Sequence, residues 1–190
     1  MFKNVIVRKP SKTLCEGITS APELGKPDYN LAIEQHKLYV DALKKCGVNI
    51  IEDVMMVGNH FYVGKSARTN KEGITQFISI LKKYGLTGSE IALEEVLHLK
   101  TGINYIENNN MLVSGEFINK KEFERYNKII IPQSESYAAN CIYVNNTVIV
   151  PLGYPKVKES IENLGYNVIC VDTSEFRKID GGLSCLSLRF

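Results

Sequence analysis

The 190-residue sequence lacks an apolar run long enough to cross a bilayer, and this absence excludes a membrane-spanning helix. It also lacks a long basic run or a stripe of basic and aromatic residues, and its net charge is only +2, so nucleic-acid binding has no support. The short apolar run after Asn4 is too brief for the core of a signal peptide and is typical of a strand. No low-complexity tract or linker divides the chain, so we expect a single domain over residues 1–190.

Disulfide and metal-site patterns are absent as well. The five cysteines are odd in number and no two form a CxxC pair, which predicts reduced thiols in a cytoplasmic protein. The three histidines lie far apart in the sequence, and no pair has the spacing of ligands on one helix. We therefore expect no zinc site or other metal centre.

What the chain does contain is a weak internal repeat. Segments 53–64 and 140–151 each consist of an apolar run, a two-residue turn of Gly or Asn, and a second apolar run, and 103–115 is a looser copy. Helix-like stretches follow, most clearly at 69–86 and in short form at 120–126, and strands follow these. About four such modules favour a propeller-like ring of small sheets, with a plain two-layer sandwich as the alternative.

The N-terminal part follows the same plan less closely. A strand over residues 4–10 leads into a polar loop at 11–27, and a helix is predicted from about Tyr29 to Lys45 with Gly47 marking its end. We expect Ala32, Leu38, Val40, Ala42 and Leu43 to lie mostly on the apolar side of this helix, and His36 at the surface.

Cys185 is the strongest candidate for a reactive group. Cysteines are more often small core residues than nucleophiles, and Cys141 and Cys170 lie in strand-like runs that suit a core. Cys185 instead follows Gly181-Gly182, which permit a tight turn, while an apolar tail follows it. We expect the tail to anchor the turn so that the thiol faces a cleft.

A nucleophilic cysteine needs a proton acceptor, and His98 is the candidate. It lies in the stretch EEVLHLKTG, where alternation places His98 and Lys100 on one face of a predicted strand. A histidine between two leucines is more often a structural residue, but a lysine on the same face does not suit a core. His60, in a hairpin turn, is expected to be exposed.

Arg68, in the stretch SARTN, has two interpretations. It is either a surface residue at the start of a helix or an anion clamp, because an arginine fork binds a carboxylate through two hydrogen bonds.

Five stretches together resemble a known family. They are IVRKPSKTLCEGIT, DVMMVGNHFYVGKSARTNKEG, VLHLKTG, YAANCIYVNNTVIVP and DTSEFRKIDGGLSCLSLRF. In this order they are similar to the dimethylarginine dimethylaminohydrolases, which belong with arginine deiminase and the amidinotransferases to the guanidine-modifying enzymes of arginine metabolism. The matching stretches cover most of the chain.

The resemblance implies a fold and a chemistry. The fold is an α/β propeller of ββαβ modules (pentein-like), with about four of the usual five modules present. The activity is that of a hydrolase acting on C–N bonds of linear amidines, which converts a small methylated guanidino substrate to citrulline without metal or cofactor. It assigns the catalytic roles to Cys185 as nucleophile and His98 as acid and base. Glu52 is the candidate to stand in for the family's acid that orients His98, with the end of the first strand module as the alternative place for this residue. The substrate-binding residues implied are Arg68, Asp180, Leu14 and Ile179.

The sequence departs from the family near residues 51–53. The family carries a further segment there, with acids that bind the guanidinium, and here the strand at 48–51 runs directly into Glu52. Two alternatives to the hydrolase follow: an impaired homologue that acts as a binding or scaffold protein, and a deiminase- or amidinotransferase-type enzyme. A ring short of a module exposes sheet edges, which predicts a homodimer or aggregation.

Overall fold

Short strands and helices alternate in the structure, a computed structural model that describes residues 5–7, 10, 12–17, 19, 21–46, 57–65, 71–96 and 98–189. The elements in these residues are β1 (Val5–Val7), α1 (Tyr29–Lys45), β2 (His60–Lys65), α2 (Lys71–Lys83), β3 (Thr87–Ala92), β4 (Ile103–Tyr105), β5 (Asn110–Val113), β6 (Asn127–Ile130), β7 (Ile142–Val144), β8 (Thr147–Pro151), α3 (Pro155–Glu162), β9 (Asn167–Val171), α4 (Ser174–Arg177) and β10 (Ser187–Arg189). Single 3-10 turns fill several connections.

The described strands form four small sheets, in the orders β1-β10, β2-β3, β4-β5-β6 and β7-β8-β9. In both three-stranded sheets an antiparallel hairpin is followed by a parallel strand. With α3 between β8 and β9, the last sheet is a complete ββαβ module. Its hairpin turn has Asn145 at φ 48° and Asn146 at φ 63°, as the sequence predicts.

Contacts divide the chain into two compact units. The first unit is Met1–Val54 with Asn140–Phe190, and the second is Met55–Ala139. The core of the first unit contains Tyr39, Ala42, Leu43, Cys46, Ile142, Val144, Ile149, Val171 and Leu183. The core of the second contains Ile91, Leu99, Ile103, Met111, Val113, Phe117, Phe123 and Tyr126. The prediction of a single domain over residues 1–190 stays a prediction.

Helix α1 has the predicted bounds but not all of the predicted faces. Ala32, Ala42 and Leu43 are buried as expected, whereas Leu38 is 58% exposed and His36 is only 8% exposed. The prediction was wrong for these two residues because α1 contacts α4 as well as β9, so its buried surface is turned toward the Gln35–His36 side.

The later helix-like stretches differ in outcome. Helix α2 buries Ile74 and Leu81, in agreement with the predicted apolar face. The stretch at 120–126 is not a short helix but contains a single 3-10 turn, Lys121–Phe123. The buried Phe123 ring lies 6.5 Å from the ring of Phe117 and anchors this connection in the core.

Candidate functional site

Cys185 ends a 3-10 turn, Leu183–Cys185, that directly precedes β10. Leu183 is fully buried in the core and Ser184 is 1% exposed, whereas Cys185 is the exposed member of the five cysteines. The Cys185 N–H donates to the Gly182 carbonyl oxygen at 2.9 Å and closes the turn. Strand β10 then pairs with β1. The thiol is therefore presented outward from a segment that is held on both sides.

Asn140 lies beneath this turn and is a residue that the sequence reasoning missed. Its side chain accepts the Ser184 N–H at 2.8 Å through Oδ1, and its Nδ2 lies 3.9 Å from the Cys185 Sγ. Asn140 is 6% exposed. The sequence marks it only as the residue before the strand-like run at Cys141, a position with no distinctive chemistry.

Asp180 and Ile179 follow α4 in a tight reversal of the chain. Asp180 has a φ of 59°, and the N–H of Gly181 donates to the Phe176 carbonyl oxygen at 2.8 Å. A β-carbon on Gly181 would lie 2.9 Å from that same oxygen, so the reversal requires glycine there. The reversal fixes where both predicted substrate-binding residues emerge from the backbone.

Leu14 approaches the same region from the N-terminal side. It is half-buried in a 3-10 turn, Lys12–Glu16, and its carbonyl oxygen accepts the Gly17 N–H at 3.1 Å. A β-carbon on Gly17 would lie 3.0 Å from Cγ2 of Ile179. The structure thus places the Leu14 turn against Ile179, and a cavity of about 380 Å³ opens beside them.

A buried polar network supports this part of the first unit. Glu175 is 3% exposed, accepts the Asp28 N–H at 2.6 Å, and binds the Lys178 ammonium at 2.8 Å. Gln35 of α1 accepts the Glu175 N–H at 3.1 Å and donates to the Asp172 carboxylate at 3.0 Å. Because each charge is hydrogen-bonded, the network holds α4, and the reversal after it, against α1.

His98 lies in the second unit and is exposed, but not in a strand. It precedes a 3-10 turn, Leu99–Thr101, whose first residue is buried. The prediction of a strand here was wrong because the Thr101 N–H turns back to the His98 carbonyl oxygen at 3.1 Å.

Glu116 anchors the backbone just before His98. Its carboxylate accepts the Glu95 N–H at 2.9 Å and the Glu94 N–H at 3.2 Å, and it pairs with the Lys120 ammonium at 3.0 Å. Burial alone raises the pKa of Glu116, but the Glu95 N–H, Lys120 and the Glu94 N–H together outweigh it and lower the pKa. Glu116 therefore remains ionised and fixes this loop.

The other thiols differ from Cys185. Burial raises the pKa of Cys46, against a hydrogen bond with Thr147, and burial also raises the pKa of Cys170. Cys141 is fully buried as predicted, but Cys170 is only partly buried, so its assignment to the core was wrong. Cys15 donates its thiol hydrogen to the Pro27 carbonyl oxygen at 3.2 Å.

His60 is partly buried rather than exposed as predicted. Its ring nitrogens lie 2.8 Å from the Thr87 hydroxyl and 2.9 Å from the Ser89 hydroxyl, because β2 pairs with β3 along its length. Burial, and the charge of Arg125, lower the pKa of His60. A histidine held by two hydroxyls in this way has a structural role.

The predicted site residues are distributed as follows. Leu14, Ile179, Asp180 and Cys185 lie in the first unit and His98 in the second, while Glu52 and Arg68 fall outside the described residues. Within the described part of the chain, no group of three His, Cys, Asp or Glu side chains is placed to hold a metal ion. None of the helices described above is both long enough and apolar enough to pass through a membrane.

Known proteins resemble this chain closely. An N(G),N(G)-dimethylarginine dimethylaminohydrolase of Pseudomonas aeruginosa is 46% identical over 255 aligned positions that cover 100% of both chains. A solved structure of a serine variant of the Pseudomonas aeruginosa enzyme, complexed with citrulline, matches with a TM-score of 0.95 at 45% identity over 100% of both chains. No family model matches the chain.

A more distant likeness concerns the fold alone. The N-terminal domain of a cyanobacterial arginine dihydrolase matches with a TM-score of 0.81 at 15% identity, over 98% of this chain and 97% of that one. Together these likenesses confirm the predicted fold class, an α/β propeller of ββαβ modules of the pentein type.

Proposed function

The chain belongs to the dimethylarginine dimethylaminohydrolase family, and from this premise we propose that it hydrolyses Nω-methylated arginine to citrulline and methylamine or dimethylamine. The observation that carries the proposal is the presentation of Cys185, the exposed cysteine, on a turn fixed by the core and by β10. A thiol in this position can meet a substrate, whereas a core thiol cannot.

The first half of the proposed reaction forms a bond to sulfur. The Cys185 thiolate adds to the central guanidinium carbon, and the C–N bond to the methylated nitrogen breaks. His98 donates the proton that the departing amine needs. The product of this half is a thiouronium group on Cys185.

The second half returns the enzyme to its starting state. His98, now neutral, takes a proton from water, and the resulting hydroxide adds to the thiouronium carbon. The C–S bond then breaks, the thiolate is restored, and the protonated ureido group of citrulline loses its extra proton to solvent, where the amine released in the first half takes it up. Cys185, His98, water and the released amine account for every proton and electron pair, so the scheme needs neither a metal nor a cofactor.

Substrate recognition is proposed to take place at the amino-acid end of the substrate. Asp180 and the backbone at Leu14 and Ile179 contact the amino-acid end, which agrees with the approach of the Leu14 turn to Ile179. Arg68 binds the α-carboxylate as a two-pronged clamp. Glu52 is proposed to orient His98 through a hydrogen bond.

The test is a colorimetric assay for ureido product with dimethylarginine, monomethylarginine and arginine as substrates. We expect product from the methylated substrates, and its loss in Cys185→Ser, because a hydroxyl is far less ionised than a thiol. Cys170→Ser is the matched control, since Cys170 is partly exposed on β9, and it should keep the activity.

Two results would contradict the hydrolase. One is unchanged product formation by a folded Cys185→Ser variant. The other is the absence of ureido product from the folded wild-type protein. Product from arginine alone would instead identify a deiminase-type enzyme.

A second candidate is a catalytically impaired homologue that binds guanidino compounds. It is favoured by length, because the alignment with the Pseudomonas aeruginosa relative spans 255 positions and this chain has only 190 residues. Part of that relative therefore has no counterpart here. Binding of dimethylarginine by calorimetry, in the absence of ureido product, would identify this function.

Two properties complete the proposal. The five cysteines are free, which supports a reducing compartment, the cytoplasm. The shortened chain supports association into a homodimer, since uncovered sheet edges pair with another chain.

A further inference from the structure

The carboxamide of Asn140 contacts the sulfur of Cys185 in addition to the backbone of the turn that carries Cys185. It is buried, and within the first unit it touches two consecutive residues of the Cys185 turn. One contact is to the backbone N–H of Ser184 at 2.8 Å, and the other is to the sulfur of Cys185 at 3.9 Å. A single buried side chain thus links the shape of the turn to the reacting atom.

The orientation of the carboxamide follows from its first contact. A backbone N–H requires an acceptor, so the atom facing Ser184 must be Oδ1. The other atom, Nδ2, then faces the sulfur and can only donate. A distance of 3.9 Å is long for a donor to a thiol, and such bonds shorten when the acceptor becomes charged.

Gly182 shows how closely the carboxamide fits. A β-carbon at Gly182 would lie 2.3 Å from Cγ and 2.3 Å from Nδ2 of Asn140, far inside contact distance. Gly182 is buried and has an extended backbone, with φ −141°, that any residue can adopt. Glycine is therefore required here by the space that Asn140 occupies and not by backbone strain.

We propose that Asn140 is a further catalytic residue, whose Nδ2–H donates a hydrogen bond to the Cys185 thiolate while Oδ1 fixes the turn that carries it. This inference rests on the proposed function of Cys185 as nucleophile. A donor placed beside the sulfur can hydrogen-bond to the thiolate and hold it in one position between the two halves of the reaction.

The experiment compares alkylation of Cys185 by iodoacetamide near neutral pH and at alkaline pH. In Asn140→Asp, an oxygen can still accept the Ser184 N–H, but the donor to sulfur is replaced by a negative charge. We expect alkylation near neutral pH to slow about tenfold or more. At alkaline pH the thiolate forms regardless, so the rate should stay close to that of the wild type. Citrulline formation should fall in kcat rather than rise in KM.

A matched control separates this effect from general damage. Asn110→Asp changes an asparagine of the second unit that is 7% exposed, against 6% for Asn140. It should leave the ratio of the two alkylation rates unchanged. An Asn140→Asp protein that is folded by circular dichroism and keeps the wild-type ratio overturns the inference.

A measurement on the wild-type protein tests the inference even if the Asn140→Asp variant does not fold. With ¹⁵N-labelled asparagine, one side-chain amide signal should shift with pH in parallel with alkylation of Cys185, and the shift should vanish in Cys185→Ser. The absence of any such signal contradicts the inference. Alkylation does not depend on turnover, so a wild-type protein without ureido product, but with this signal, overturns the hydrolase and leaves the hydrogen bond standing.

Discussion

At the scale of single residues, Asp180 combines an unfavourable backbone conformation with a proposed binding role. Its φ of 59° lies in the left-handed region, which residues with a β-carbon adopt at a cost. Strain of this kind persists where the surrounding structure enforces it, and it is frequent at functional sites. Here the hydrogen bond from Gly181 to Phe176 enforces the reversal.

Asp180→Gly should therefore stabilise the protein and inactivate it. Relief of strain outweighs the greater freedom of glycine in the unfolded chain, so we expect the free energy of unfolding to rise by about 0.5–1 kcal/mol. Product formation should fall, because the carboxylate that we propose to contact the amino-acid end of the substrate is lost. Urea denaturation and the ureido assay measure the two effects.

Asn146→Gly is the matched control for this substitution. Asn146 has a φ of 63° and is exposed in the β7–β8 turn, so the same relief of strain applies. It should raise stability with product formation unchanged. Asp180→Gly contradicts the prediction if it lowers the free energy of unfolding while Asn146→Gly raises it. The interactions of the Asp180 side chain would then stabilise the fold by more than its backbone conformation destabilises it.

At the scale of elements, the sequence predicts those whose pattern is local. The β7–β8 turn follows from Asn145 and Asn146, and the ends of α1 and α2 were predicted within a few residues. The predictions that were wrong concern residues whose burial depends on contacts with residues distant in the chain. Helix α1 buries His36 because α1 packs against α4. The local stretch EQHKLYV contains no signal that predicts this contact.

The same limit applies to the candidate site. Cys185 was predicted because Gly181-Gly182 mark a turn and an apolar tail follows it. Asn140 was not, because its role arises when a residue 45 positions away folds against it. Glu116 was missed for the same reason, since its contacts to Glu94 and Glu95 span 22 and 21 positions.

The loop before His98 gives a prediction about an element as a whole. Glu116→Gln removes the charge that pairs with Lys120 and weakens the bonds from two backbone N–H groups, so stability near neutral pH should fall by about 1–2 kcal/mol. Exchange of the Glu94 and Glu95 amide hydrogens, followed by NMR, should accelerate. Product formation should fall too, because His98 follows this loop directly.

The pH dependence of this effect has a definite sign. The pKa of Glu116 is lowered in the folded protein, so its contribution to stability is complete above the ordinary carboxyl pKa. The contribution is lost as pH falls through the lowered value. The stability difference between wild type and Glu116→Gln should therefore shrink under acidic conditions. Exposed Glu122→Gln should show no such difference at any pH, and a constant difference for Glu116→Gln would contradict the assignment.

At the scale of the whole molecule, the length of the chain is the feature with the largest consequence. The Pseudomonas aeruginosa relative aligns over 255 positions with a chain of 190 residues. We propose that the missing segment lies near residues 51–53, where the family resemblance implies the acids that bind the guanidinium. Loss of the partners of a buried charge costs about 3–5 kcal/mol, or roughly two to four orders of magnitude in affinity or rate.

Restoring that segment should therefore change two properties at once. A chimaera that carries the relative's segment between Ile51 and Asp53 should form product faster than this chain, by roughly two to four orders of magnitude on the above estimate of about 3–5 kcal/mol. It should also associate less if the proposed homodimer forms through uncovered sheet edges, because the added module would cover such edges. Sedimentation velocity measures the association and the ureido assay the activity. The prediction is contradicted if the wild-type chain sediments as a clean, stable monomer and forms product as fast as the chimaera. The missing segment would then be unnecessary for activity, and the proposed loss of rate would be wrong.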